Sequence, residues 1–118
     1  MQRKYQQLIV WQKSMLLVSH IYELTQALPD DEKFGLTSQL RRAAVSVPSN
    51  IAEGSGRGSD KDFCRFLYQA RGSLTEIETQ LLIAQRLGFC VINDDIDELI
   101  QQVFAMLNKL IARLSERR

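Results

Sequence analysis

The apolar residues of this chain recur at intervals of three and four, and they do so in four separate stretches. Ile96, Ile100, Val103, Leu107, Leu110 and Leu114 keep one stripe on one face of a helix. Phe63, Phe66, Ala70, Leu74, Ile77, Leu81 and Ala84 repeat that spacing, and so do Leu36, Leu40, Ala43, Val47 and Ile51. The first stretch carries Val10, Leu17, Ile21, Leu24 and Leu28 on one face, with Leu8, Trp11, Met15, Val18 and Tyr22 on an adjacent one. No stretch alternates with the period of two that marks a half-buried strand. Breakers separate the four: Pro29-Asp30-Asp31, the run from Gly54 to Ser59, and Gly88-Phe89 followed by Asn93-Asp94-Asp95. The pattern predicts helices over residues 7–28, 35–55, 60–88 and 94–116 of one 118-residue domain. Four amphipathic helices on short connections predict an all-α, antiparallel, up-down-up-down four-helix bundle.

End signals agree with these limits. Ser59 with Asp62 three residues on is a capping pair for the third helix. Asn93 or Asp94 caps the fourth, whose Asp95 and Asp97 suit the positive end of the helix dipole. Gly54 and Gly88 stand where a left-handed C-cap residue is wanted. Pro48 is the anomaly, because proline removes a backbone bond and crowds the preceding turn. Either the second helix ends near Val47 or it continues with a kink. The apolar stripe keeps its phase through Ile51, which favours the kink, with Ser46 and Ser49 bonding locally to the disturbed backbone.

The two stripes of the first helix are too broad for one bundle face. One is expected to face the core and the other a partner subunit. The alternative is a deeply buried helix in a wide-cored monomer. No apolar run approaches the roughly 20 residues that cross a bilayer, and the N-terminal residues lead into an amphipathic segment rather than a signal peptide. Cys64 and Cys90 lack the spacing of a disulfide framework and read as thiols of a reducing cytoplasm.

Fifteen basic and 14 acidic residues leave a net charge of +1. That value alone argues against a strongly basic nucleic-acid binder, but it conceals an uneven distribution. Residues 33–71 hold Lys33, Arg41, Arg42, Arg57, Lys61, Arg65 and Arg71 against Glu53, Asp60 and Asp62. Residues 72–98 hold Glu76, Glu78, Asp94, Asp95, Asp97 and Glu98 against Arg86. The last stretch is basic again, with Lys109, Arg113, Arg117 and Arg118 against Glu116. Arg42, Ser46, Ser49 and Glu53 fall in a narrow arc of the second helix, and Lys61, Arg65, Tyr68, Gly72 and Glu76 share a face of the third. This is either a basic surface that contacts phosphates or a set of salt-bridge partners for acidic residues within the bundle or on a neighbouring subunit.

Residues that would carry catalysis or hold a metal are sparse. His20 is the single histidine and lies mid-helix. There is no C-x-x-C and no H-E-x-x-H. Glu76 and Glu78 are two apart, so they diverge on a helix rather than pair. The Gly54 to Gly58 turn follows a helix, not a strand, and lacks the Gly-Lys-Ser/Thr ending of a phosphate loop. No enzyme, metal site or cofactor is expected.

Residues 34–57 read FGLTSQLRRAAVSVPSNIAEGSGR, flanked by VWQKS at 10–14 and GSLTEIETQLLIA at 72–84. These stretches resemble the signature of bacterial four-helix bundle proteins encoded in intervening sequences of 23S ribosomal RNA genes. That family is related to the accessory variability determinants of diversity-generating retroelements. The resemblance implies a left-handed bundle assembled as a homopentameric ring. The retroelement relatives bind nucleic acid and a reverse transcriptase through a basic surface. Carried over, it implies interface or structural roles for Trp11, Ser49, Asn50, Glu53, Glu76 and Glu78, and phosphate contact for Arg41, Arg42, Arg57, Lys61 and Arg65. The expected partners are copies of the chain itself, RNA or DNA, and a reverse transcriptase or ribosomal component, with no membrane and no cofactor. The competing reading is an oligomeric structural or protein-binding module without nucleic-acid affinity.

Overall fold

The apolar stripes close on one another. A computed structural model describes residues 3–117, so Met1, Gln2 and Arg118 lie outside the described residues. Four helices follow in order: α1 (Ile9–Thr25), α2 (Leu36–Ser55), α3 (Asp60–Arg86) and α4 (Asp94–Glu116). Short 3-10 turns at Lys4–Gln7 and Asp30–Glu32 precede α1 and α2, and no strand occurs among the described residues. The centre holds Leu17 and Ile21 of α1, Leu40, Val47 and Ile51 of α2, Leu74, Ile77 and Leu81 of α3, and Ile100, Val103 and Leu107 of α4, all fully or nearly fully buried. Each buried Leu or Ile contributes about 1.5–3 kcal/mol relative to exposure, so this cluster is the main source of stability.

Each helix packs on two neighbours, α1 and α3 on one diagonal and α2 and α4 on the other. Cross-helix contacts give the directions. Arg41 near the start of α2 bonds to Thr25 at the end of α1. Gln39 meets Gln80, and Ser46 meets Ser73, so α2 and α3 run in opposite senses. Cys64 near the start of α3 reaches Ile111 near the end of α4. The bundle measures 46 × 28 × 22 Å, and its 27-residue α3 spans about 40 Å of the long axis.

The expected helix limits hold to a few residues, with three corrections. α1 starts at Ile9 and ends at Thr25, not at 7 and 28. Residues 26–28 tighten into bonds three residues back, because Leu28 precedes Pro29 and a residue before proline avoids the helical region. α3 ends at Arg86 rather than 88. Gly88 then takes φ 79°, and the Gly88 and Phe89 amides donate to the Gln85 and Ala84 carbonyls in a Schellman close. Gly54, expected as a left-handed cap, instead lies buried inside α2. A Cβ there would sit 2.7 Å from Phe66 Cβ and 2.9 Å from Phe63 Cδ1, so glycine lets α2 and α3 close.

α2 is continuous through Pro48 and does not end near Val47. Proline leaves the Ala44 carbonyl without its usual donor. Downstream, Ser49 Oγ donates to the Val45 carbonyl at 2.8 Å and Asn50 Nδ2 to the Ser46 carbonyl at 2.9 Å. Ser46, also expected to bond locally, accepts from Asn50 Nδ2 at its hydroxyl and meets Ser73 across the helices with the same group.

Candidate nucleic-acid interface

The turn from α2 into α3 sets the charged end of the bundle. Ser59 Oγ accepts from the Asp62 amide and starts α3, which places Asp62 one turn in and Arg65 and Phe66 one turn further. Asp62 holds two arginines: Arg65 Nε at 2.8 Å and Arg57 Nε at 3.7 Å. Both guanidinium groups also lie over the Phe66 ring, with their carbons 4.5 and 4.8 Å from its centroid. Arg57 completes its contacts with Glu53 Oε1 at 3.1 Å. Arg57 and Arg65 keep 43% and 55% of their side-chain surface in solvent. Exposed ion pairs contribute about 0–1 kcal/mol, so these contacts aim the guanidinium groups without consuming their capacity to meet another anion. Lys61 is exposed, forms no ion pair with a described residue, and shares a shallow groove with Arg65 and Tyr68.

The other two candidate arginines lie elsewhere. Arg41 stands roughly 20 Å up α2 from this end, by helical rise. Its Nε donates to Thr25 Oγ1 at 2.9 Å, and its guanidinium covers the Tyr22 ring at 4.7 Å. That contact ties α1 to α2. Arg42 is exposed and free of ion pairs among the described residues. The five candidate cations are therefore not one patch: Arg57, Lys61 and Arg65 cluster, while Arg41 and Arg42 do not join them.

The residues expected in structural roles make internal bonds. Asn50 donates to both the carbonyl and the hydroxyl of Ser46. Glu76 accepts from buried Gln80, and Glu78 accepts from Gln101 of α4. Half-buried Trp11 meets Tyr5 edge-to-face at 5.4 Å. Ser49 serves the α2 backbone, and Glu53 serves Arg57.

Two further residues of this end escaped the sequence reading as site residues. Arg117 Nε lies 3.1 Å from Asp60 at the start of α3, and Arg113 stands one turn before it. The signal was present, since an antiparallel α4 must end where α3 begins. Cys64 and Cys90 are free thiols, and burial pushes the Cys90 thiol above its ordinary pKa. Among the described residues no three His, Cys, Asp or Glu side chains gather as a metal-holding group, and no helix is long and apolar enough to cross a membrane.

The family model described as 23S rRNA-intervening sequence protein matches residues 6–112, which takes in all of α1 to α3 and most of α4. The chain belongs to that family. Among solved structures it resembles a protein of unknown function from the S23 ribosomal protein family of Bacteroides thetaiotaomicron, at 24% identity and a TM-score of 0.63. That likeness covers 89% of this chain and 94% of the other, and it supports the four-helix fold of the 23S rRNA-intervening sequence family. A comparison with curated proteins gives no match.

Proposed function

We propose that this member of the 23S rRNA-intervening sequence family acts by binding rather than catalysis. In this reading it assembles with copies of itself in the cytoplasm, as a ring of five on the resemblance noted above. It holds RNA or DNA on a basic surface as an accessory to a ribonucleoprotein. The observation that carries the nucleic-acid part is the Arg57–Phe66–Arg65 stack. Two guanidinium groups are fixed on one ring, half in solvent, beside Lys61. Guanidinium forks match phosphate oxygens bidentately, and arginine so pre-aimed loses less freedom on binding than a loose side chain. The self-assembly part draws on α1, where Met15 and Tyr22 of the second stripe remain exposed beside half-buried Trp11 and Val18.

A second reading, an oligomeric protein-binding module without nucleic-acid affinity, also has an observation behind it. Arg57 and Arg65 already have carboxylate partners in Glu53 and Asp62. Titrating binding of single-stranded RNA and duplex DNA against salt separates the two. Phosphate contact requires log affinity to fall linearly with log salt, at about 0.7 per contact for single strands and 0.9 for duplex DNA. Arg57→Gln with Arg65→Gln should then lower the slope by about 1.4 on RNA. Wild-type binding that is absent, or flat with salt, leaves the protein-binding reading.

A further inference from the structure

The stack above occupies the outer side of the α2–α3 turn. On its inner side lies a cleft of about 280 Å³ where three parts of the chain meet: the N-terminal 3-10 turn, the α2–α3 turn and the last turns of α4. Lys4, Arg57, Arg113 and Arg117 line it, and among the described residues Asp60 is the single carboxylate that does so. Asp60 is taken by Arg117. Glu53 and Asp62 touch Arg57 but do not line the cleft. Arg113 and Lys4 form no ion pair with a described residue. Phe63 and Leu110 supply an apolar wall, which lowers the local dielectric and strengthens any charge interaction made against it.

Glu53, Asp62 and Asp60 offset Arg57 and Arg117, which leaves Arg113 and Lys4 facing the cleft without a carboxylate partner among the described residues. A structural account covers part of it, because arginines near the end of α4 complement its dipole. That account explains Arg113 and Arg117 alone. The pairs with Glu53 and Asp62 hold Arg57, and neither account gives a reason for Lys4 to converge on the same cleft. A bound polyanion explains all four.

We propose that this cleft binds the phosphate groups of a polynucleotide. The proposal rests on the nucleic-acid reading above and adds a site to it. The phosphates of one strand pass from the outer Arg57–Arg65 stack over the turn into the cleft, with Arg57 lying at the junction of the two.

The test is a salt titration of a short single-stranded RNA against three proteins: wild type, Arg113→Gln with Arg117→Gln, and Arg113→Lys with Arg117→Lys. The glutamine pair should lower the slope by about 1.4 and weaken binding at low salt on the order of tenfold. The lysine pair should keep the wild-type slope. An unchanged slope and affinity in the glutamine pair overturns the cleft and leaves nucleic-acid binding to the outer stack. Loss of salt-dependent binding in the wild type overturns both readings at once. Arginine modification by phenylglyoxal reports on the wild type without any variant. RNA should protect Arg113 and Arg117, and full reactivity of both in the complex overturns the site.

Discussion

Gly54 and Gly72 are both helical glycines, and their surroundings assign them opposite consequences. At Gly54 an added methyl would meet Phe66 Cβ and Phe63 Cδ1 at under 3.0 Å, and neither helix can yield without losing core contacts. Gly54→Ala should therefore destabilise the fold by about 1–3 kcal/mol, offset in part by the roughly 1 kcal/mol that alanine gains over glycine in a helix. Gly54→Val should cost more. At Gly72 the added methyl meets nothing within 4 Å. Gly72→Ala should stabilise the monomeric fold by about 0.5–1 kcal/mol. Urea unfolding of the three variants checks the order. Equal effects at the two sites would contradict the close α2–α3 approach. The thiols give a second residue-scale prediction. Burial keeps Cys90 protonated to higher pH than a free thiol, and Cys64 is buried. Thiol labelling at pH 8 should thus be slow at Cys90 and slower at Cys64, and both should speed up on denaturation.

At the scale of the helices, ends matter as much as faces. Ser59 accepts from the Asp62 amide at 3.1 Å, and Asn93 Oδ1 accepts from the Ile96 amide at 2.8 Å. Ser59→Ala and Asn93→Ala should each cost about 1 kcal/mol, read as a lowered urea midpoint with unchanged slope. Gly88→Ala should cost about as much, because Gly88 holds a left-handed φ. Ser59 and Gly88 were legible in the sequence, and Asn93 as one of two candidates with Asp94, since capping side chains and a C-terminal glycine act locally. The same holds for the four apolar stripes, each of which is one helix. What was not legible depended on contacts between helices. A glycine near a helix end reads equally as a cap or as a point of close approach, and only Phe63 and Phe66 from α3 decide for Gly54. Arg41 and Arg42 are adjacent in sequence, yet one is bound to α1 and the other stands in solvent. The candidate site divides for the same reason. Its Arg57, Lys61 and Arg65 part follows from a short turn, whereas Arg113 and Arg117 reach it only through the return of α4.

For the whole molecule, Met15 and Tyr22 of the second stripe of α1 remain partly in solvent, while Leu8, Trp11 and Val18 pack against the core. Met15 is 43% exposed and Val45 of α2 is 42% exposed. Met15 lies two turns before Tyr22, and Val45 one turn after Arg41, which covers Tyr22. The two side chains therefore border one seam, beside half-buried Trp11 and Val18. An apolar seam of this kind on a 13.5 kDa chain fits a surface covered by a second copy. Met15→Glu with Val45→Glu should leave helicity and the urea slope near wild type, because both side chains are already partly in solvent. Light scattering at micromolar concentration should show a multiple of 13.5 kDa for the wild type and a monomer for the variant. A monomeric wild type would refute self-assembly. Assembly also bears on binding, because each copy of a nearly neutral chain carries its own basic end. In the proposed assembly that end would be repeated, which would multiply contacts to one polyanion, and linked sites can exceed a single site's affinity by about 100-fold or more. The Met15→Glu, Val45→Glu variant touches no basic residue. It should nevertheless lose most of the affinity for long RNA while keeping that for an oligonucleotide short enough to meet one subunit. No loss on either length would mean that each subunit binds alone, and the seam would then have no part in nucleic-acid binding.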